Sequence, residues 1–198
     1  MAMTHTELMK INKSADEVWE WMKDGRNILS INFFHEKGDW PEPIEEAGMR
    51  VDLPHNFWGM AKEKRGATVR SYRKYHFSYG DYKLKETPGV DTFPHNQSFT
   101  VIPVDDKSCI VMDEIKGVYV WPVPKQVREW AFRKFMPVIL HDDLLVIAAA
   151  VGVGDASKIK KPLGTLMWPI MVTFGAKFIK SSGRTKIIND AKKFKPAA

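Results

Sequence analysis

The chain has 198 residues, 44% of them hydrophobic and 12% aromatic, enough to bury one sizeable core and too few for two full domains. Cys109 is its single cysteine, which excludes an internal disulfide and a thiolate metal cluster and suits a reducing compartment. The net charge of +6 is unevenly divided: residues 154 to 198 hold ten Lys or Arg against Asp155 and Asp190, whereas the rest holds 20 basic and 22 acidic side chains, so the C-terminal stretch points to an anionic partner, a nucleic acid or a membrane surface.

The opening, MAMTHTELMK, lacks the basic-then-apolar pattern of a secretory signal, and a cytoplasmic location is expected. His5 to Asn12 alternates loosely, as a strand does. Ser14-Ala15-Asp16-Glu17 is a capping box, in which the Ser14 hydroxyl accepts from the Glu17 amide and the Glu17 carboxylate reaches back. A helix is predicted from there, with Val18, Trp19 and Met22 on its apolar face and Asp24-Gly25 at its end. A second short helix through Asn27, Ile28, Leu29 and Ile31 leads into an aromatic, turn-rich stretch, Phe33 to Pro41.

From Ile44 to Gly117 the pattern is one of antiparallel strands separated by turns. Gly48 to Leu53 is one candidate and Lys62 to Arg65 a weaker one. Val69 to Tyr79 reads as a single strand, with Tyr75, Phe77 and Tyr79 on one face and Arg70, Tyr72 and His76 on the other. Asp81 to Glu86 follows Gly80, and Pro88-Gly89 marks a turn. Gln97 to Ile102 and Ser108 to Lys116 form a hairpin closed around Asp105-Asp106, with Pro103 confined to an edge or a bulge. Such spacing predicts a curved meander rather than a parallel sheet.

Pro124 to Val153 keeps a helical period between a tolerated first-turn proline and the stop at Gly152 and Gly154. Val127, Trp130, Ala131, Phe135, Val138, Leu145 and Ala149 share an apolar arc, and Lys125, Glu129, Arg133 and Asp143 lie opposite. Pro137 removes an amide donor from the interior, so a kink is expected. His141 and Asp142 project toward the apolar arc; either the kink turns them to a helix end or solvent, or they face a cavity.

Local catalytic signatures are few. The six histidines show no His-x-x-x-His or His-Glu-x-x-His spacing, so no metal or other cofactor is expected, and a metal would require long-range assembly. No Gly-x-Ser-x-Gly elbow is present, and Cys109 at a strand centre reads as packing. His141 and Asp142, as helical neighbours, point about 100° apart and do not form a direct dyad.

The element order is strand, two short helices, about six strands and a long helix. With Ile11 to Met22, including the Val18-Trp19 pair, the hairpin Phe99 to Pro103 with Ser108 to Met112, and Pro124 to Val153, the chain resembles the START-like, helix-grip superfamily, which includes polyketide cyclases, lipid-transfer domains and the birch-pollen-allergen type. The resemblance covers roughly residues 4 to 153; Pro137 and the long extension after Val153 depart from it. It implies an α+β fold with a curved antiparallel sheet of about seven strands wrapped around the long helix, a START-like domain at 1–153 and a basic, partly apolar extension at 154–198. It also implies an apolar cavity that binds or transports a lipid, sterol or polyketide-like molecule. Phe33, Phe34, Trp40, Trp58, Tyr75, Phe77, Phe99, Met112, Trp130 and Phe135 are candidate walls, with His35 and His55 as polar contacts. The alternative is an enzyme of polyketide-cyclase type, with His141, Asp142, Arg70 and Tyr72 as acid-base groups.

Pro162 to Ala176 is fifteen residues without a charge, flanked by Lys160, Lys161, Lys177 and Lys180, and too short to span a bilayer. One reading lays it in a membrane interface with Trp168, Lys177 and Lys180 at headgroup depth; the other folds the tail back over the domain. A nucleic-acid partner is disfavoured, because Phe194 alone interleaves with the basic residues of Arg184 to Lys195.

Overall fold

The computed structural model describes residues 2–57, 61–86, 91, 93–120, 124–154 and 182–193. Trp58, the Pro88-Gly89 turn, Trp168, Lys177 and Lys180 lie outside them. In chain order the elements are β1 (Met3–Ile11), α1 (Ala15–Met22), α2 (Gly25–Ile31), β2 (Arg50–Asp52), β3 (His55–Phe57), β4 (Ala61–Glu63), β5 (Arg65–Arg73), β6 (His76–Lys83), β7 (His95–Asp105), β8 (Ser108–Gly117), α3 (Lys125–Ala150) and α4 (Ser182–Ala191). Six strands form one antiparallel sheet in the order β1-β8-β7-β6-β5-β2. The short β3 and β4 pair separately. Pro54 supplies the reason: it has no amide to donate, so the β2 ladder ends where the Leu53 amide donates to the Arg65 carbonyl, and the chain leaves the sheet.

The capping box forms as the residue types dictate. The Glu17 amide donates to Ser14 Oγ at 3.3 Å, and the Ser14 amide donates to Glu17 Oε2 at 3.1 Å; such caps contribute about 1 kcal/mol. Asp24 caps the next helix rather than ending the first, its Oδ1 accepting from the Arg26 amide at 3.0 Å. Gly25 opens α2 against the sheet, where a Cβ would stand 2.6 Å from the Phe77 ring, so close approach requires glycine there.

Val69 to Tyr79 is a hairpin, not one strand. The chain reverses at Lys74-Tyr75, and Tyr75 takes a φ of 66°. The turn lacks the glycine or asparagine that usually marks a positive φ, which is why the pattern read through it. A bulge at Arg70 shifts the register between Val69 and Ser71, so Tyr72 pairs with Phe77 and shares its face rather than lying opposite. The β7–β8 hairpin closes as expected, with a bulge between Pro103 and Asp105.

Helix α3 runs unbroken through Pro137 and packs along β1 and β8. Its buried face is rotated from the expected arc: Ala131, Phe132, Met136, Ile139, Leu140, Asp143, Leu144 and Ile147 face inward, while Val127, Trp130 and Val138 are exposed. Two facts misled the periodicity. Apolar residues occupy nearly every side of the second half, and the acid taken to mark the solvent side, Asp143, is 0% exposed. The main core joins α1, α2, the sheet and the second half of α3. A second cluster, Phe33, Ile115, Tyr119, Phe132, Met136 and Leu140 among them, lies under its first half.

Helix α4 folds back onto α2 and α3. Arg184 is buried there, donating to the Ile31 carbonyl and pairing with Asp142 Oδ2 at 2.7 Å. Among the described residues no helix is long and apolar enough to cross a membrane.

Candidate functional site

Between the sheet and α3 the inward face divides in two. On β6 the inward positions are Phe77, Tyr79 and Asp81; on β7, His95, Gln97, Phe99 and Val101; on β8, Val111, Asp113 and Ile115. Phe77, Phe99, Val101 and Val111 make one end apolar. Asp81, His95, Gln97 and Asp113 make the other end polar, because register sets Asp81 opposite His95 and Tyr79 opposite Gln97.

One part of the polar end is a shared carboxyl site. Gln97 Nε2 donates to Asp113 Oδ1 at 2.9 Å, to Asp113 Oδ2 at 3.0 Å and to Asp143 Oδ2 at 3.4 Å, while Tyr79 Oη donates to Gln97 Oε1 at 2.7 Å. Asn32 Nδ2 donates to Asp143 Oδ2 at 3.3 Å. Asp143 Oδ1 has no hydrogen-bond partner among the described residues. Burial and then the neighbouring Asp143 push Asp113 well above the carboxylate range. Burial, reinforced by Asp142, raises Asp143 to about 7. Two acids this close release their protons as a pair. The adjoining Asp142 is raised to about 6 by burial, with Arg184 opposing.

The other part is a histidine cluster around Asp81. His35 comes from the loop after α2, His55 from β3 and His95 from β7, and all three are buried. Each Nδ1 lies against a backbone carbonyl: His35 on Leu29 at 2.8 Å, His55 on Leu53 at 2.9 Å and His95 on Phe93 at 2.9 Å. His55 Nε2 stands 3.0 Å and His95 Nε2 3.6 Å from Asp81 Oδ2. Asp81 Oδ1 accepts from Arg65 Nε at 2.6 Å. The same guanidinium also reaches Glu63, Asp91 and the Phe93 carbonyl. Burial alone would raise Asp81, but His55, His95 and Arg65 hold it well below the usual carboxylate range. Burial lowers His35 far below the imidazole value, and lowers His95 as well. Tyr79 joins the two parts, its ring 6.3 Å from His35 and 6.5 Å from His95.

The residues proposed from sequence scatter across this frame. His35 and His55 meet in the cluster, their rings 4.5 Å apart. The tilted rings of Phe33 and Phe34 lie 4.1 Å apart in the second core cluster, and half-buried Phe135 packs there too. Phe77, Phe99 and Trp40 are core, with Trp40 Nε1 donating to the Asp52 carbonyl. Half-buried Tyr75 donates to Asp16 at 2.8 Å from the hairpin turn. Met112 alternates to the outer face of β8, opposite exposed Leu8, and Trp130 is 54% exposed, so neither points between sheet and helix. The four acid-base candidates do not converge. Arg70 and His141 are exposed, Tyr72 packs between Trp19 and Phe77 at 5.9 and 6.5 Å, and Asp142 is held by Arg184.

The residues that do converge, Arg65, Asp81, His95, Gln97, Asp113 and Asp143, were not singled out by sequence. A partial signal existed: Asp81 continues the inward alternation from Phe77 and Tyr79.

No protein-family model matches the chain, and no curated protein matches it. Solved structures do. A conserved protein from Geobacillus kaustophilus matches with a TM-score of 0.52 and 12% identity, over 75% of this chain and 95% of that one. Norcoclaurine synthase from Thalictrum flavum matches at 0.51 and 12%, over 76% and 84%. A START superfamily protein from Mycobacterium smegmatis matches at 0.49 and 14%, over 71% and 93%. The chain shares the fold of the first two, the helix-grip fold, with six strands in the main sheet against the long α3.

Proposed function

We propose that the chain binds a small hydrophobic molecule bearing a hydrogen-bond donor, between the sheet and the first half of α3. The observation that carries this is Asp143 Oδ1, fully buried and without a partner among the described residues, beside the cluster of Phe33, Tyr119, Phe132 and Met136. Apolar walls with a few convergent polar groups of shifted pKa are the usual form of a small-molecule site. A neighbour in fold, norcoclaurine synthase, has been solved in complex with dopamine and hydroxybenzaldehyde; shared fold supports the location by analogy and leaves the ligand's identity to experiment.

Native mass spectrometry of protein purified from its own host tests the reading. The wild type should carry a co-purified small molecule, and Leu140→Trp, which adds bulk under α3 at a cost of about 1 to 3 kcal/mol, should lose it while still folding. A bare mass for the wild type, together with no binding of fatty acids, sterols or phenolic amines in titration, would overturn it. Acid-base catalysis on the same ligand is the second reading, favoured by the Asp113–Asp143 pair, which retains a proton near neutral pH. It predicts that the bound molecule is altered over time by the wild type and not by Asp143→Asn; an unaltered molecule in both leaves binding alone.

Exchange of the ligand at an anionic membrane surface is the finer part of this reading, with Trp168, Lys177 and Lys180 in contact with lipid. The charge surplus of residues 154 to 198 supports it, although Arg184 is committed to Asp142. Wild-type protein should float with phosphatidylserine-rich vesicles, and Lys177→Glu with Lys180→Glu should not, since each basic residue near the surface contributes about 1 kcal/mol. Equal flotation of both proteins, or of neither, would remove this part.

A further inference from the structure

We propose that His35, His55 and Asp81 bind a divalent transition-metal ion. Their ligand-type atoms, one from each, all lie within 4.8 Å of one another, and all three residues are buried. They arrive from a loop, a two-stranded ribbon and a central strand, and the His35–His55 backbone bridge fixes the two imidazoles side by side.

Ring orientation is the first support. A backbone carbonyl can only accept, so the Nδ1 contacts to Leu29 and Leu53 place a ring proton on Nδ1, and a neutral ring then carries its lone pair on Nε2. Proteins orient metal-binding histidines in this way, the second nitrogen held by a carbonyl or carboxylate. His95 is held identically through Phe93, and its Nε2 stands 3.6 Å from Asp81 Oδ2 as a fourth donor.

Charge supplies the second. In those tautomers His55 Nε2 and Asp81 Oδ2 are two acceptors 3.0 Å apart, an arrangement that requires a proton or a cation. Asp81 Oδ2 receives no hydrogen bond of proper geometry from the described residues, while Oδ1 is engaged by Arg65. Around that guanidinium stand three carboxylates, Glu63, Asp81 and Asp91, so a divalent ion on Asp81 Oδ2 enters acidic surroundings.

Two or three imidazoles with one carboxylate suit zinc, iron, cobalt, nickel or copper and disfavour magnesium and calcium, which take oxygen ligands. The 3.0 Å between His55 Nε2 and Asp81 Oδ2 is apt as well, since donors about 2.0 to 2.2 Å from one ion lie roughly 3 Å from each other.

The test uses untagged full-length protein, stripped with chelator and titrated with Zn²⁺ and, separately, Co²⁺. Expected are one equivalent bound per chain, a visible Co²⁺ absorption, and a change in the imidazole ¹⁵N shifts of the cluster histidines on adding Zn²⁺. His35→Gln should weaken binding by more than the roughly 10- to 100-fold that loss of an outer-shell partner costs. His141→Gln, on the exposed face of α3, should leave it unchanged. Absence of stoichiometric binding by the wild type overturns the proposal, and the cluster is then a proton-linked ion-pair network. Binding that persists unchanged in a folded His35→Gln protein overturns it too. Neither outcome touches the ligand reading, whose readout is a small molecule under α3.

Discussion

As pH rises from about 4 to about 7.5 the buried Asp143 lowers the stability of the chain, and Asp143→Asn removes most of that loss. The sign follows from proton binding. Burial, reinforced by Asp142, raises Asp143 to about 7 in the folded state, above the ordinary 3.8 of an unfolded carboxyl, and burial raises Asp113 as well. At a pH between those values the folded chain holds protons that the unfolded chain has released, so stability is full below the unfolded pKa and declines as pH rises through the folded one. His35 and His95, with lowered folded values, act in the opposite sense up to about 6.5. The upper part of the window, from about pH 6.5 to 7.5, therefore isolates the carboxyls. At pH 8 Asp143→Asn should stabilise by on the order of 3 kcal/mol, and by little near pH 3, where both states carry the proton. Urea midpoints at several pH values read this directly. A wild-type-minus-variant difference that stays flat with pH would show that Asp143 does not hold a proton in the folded chain.

The second large effect is expected at Arg65. Its guanidinium is buried and spans β4, β6 and the segment before β7, reaching Glu63 at 3.0 Å, Asp81 at 2.6 Å, Asp91 at 2.9 Å and the Phe93 carbonyl at 3.1 Å. Arg65→Met fills the volume but leaves Asp81 a buried carboxylate without its cation, and such a loss costs about 3 to 5 kcal/mol. Arg65→Lys should recover less than half, because one ammonium cannot span that fork of acceptors. Combining Arg65→Met with Asp81→Asn should return part of the loss, since the stranded charge is gone. Equilibrium unfolding measures all four proteins; a cost below about 1 kcal/mol for Arg65→Met would class the cluster with surface pairs.

Much of the frame was readable from residue order because it rests on local chemistry. Ser14 and Glu17 announce α1, Asp105-Asp106 announces the last hairpin, and the long helical period announces α3. The Lys74-Tyr75 turn was not readable, since neither residue type marks a left-handed conformation. Nor was the face of α3. A lone Asp in a helix is ordinarily a solvent marker, and here Asp143 is inward because Gln97 and Asn32 wait for it across the interior. His35, His55 and Asp81 illustrate the general limit. Nothing in their spacing places them together; only the departure of the chain from the sheet at Pro54 and the pairing of β5 with β6 do so.

Helix α2 ends at Ile31, whose carbonyl has no successor amide within the helix to accept from, and Arg184 donates to it from 153 positions further along the chain. At a synthesis rate of about 5 to 20 residues per second, that carbonyl waits roughly 8 to 30 s on the ribosome before its donor exists. The strands β2 to β8 and helix α3 are all made within that interval. A seven-residue helix has little stability alone, so the α2 end and the buried Asp142 beside it are finished by one of the later-made residues, and the nascent domain passes through a stage in which its last joint is still open.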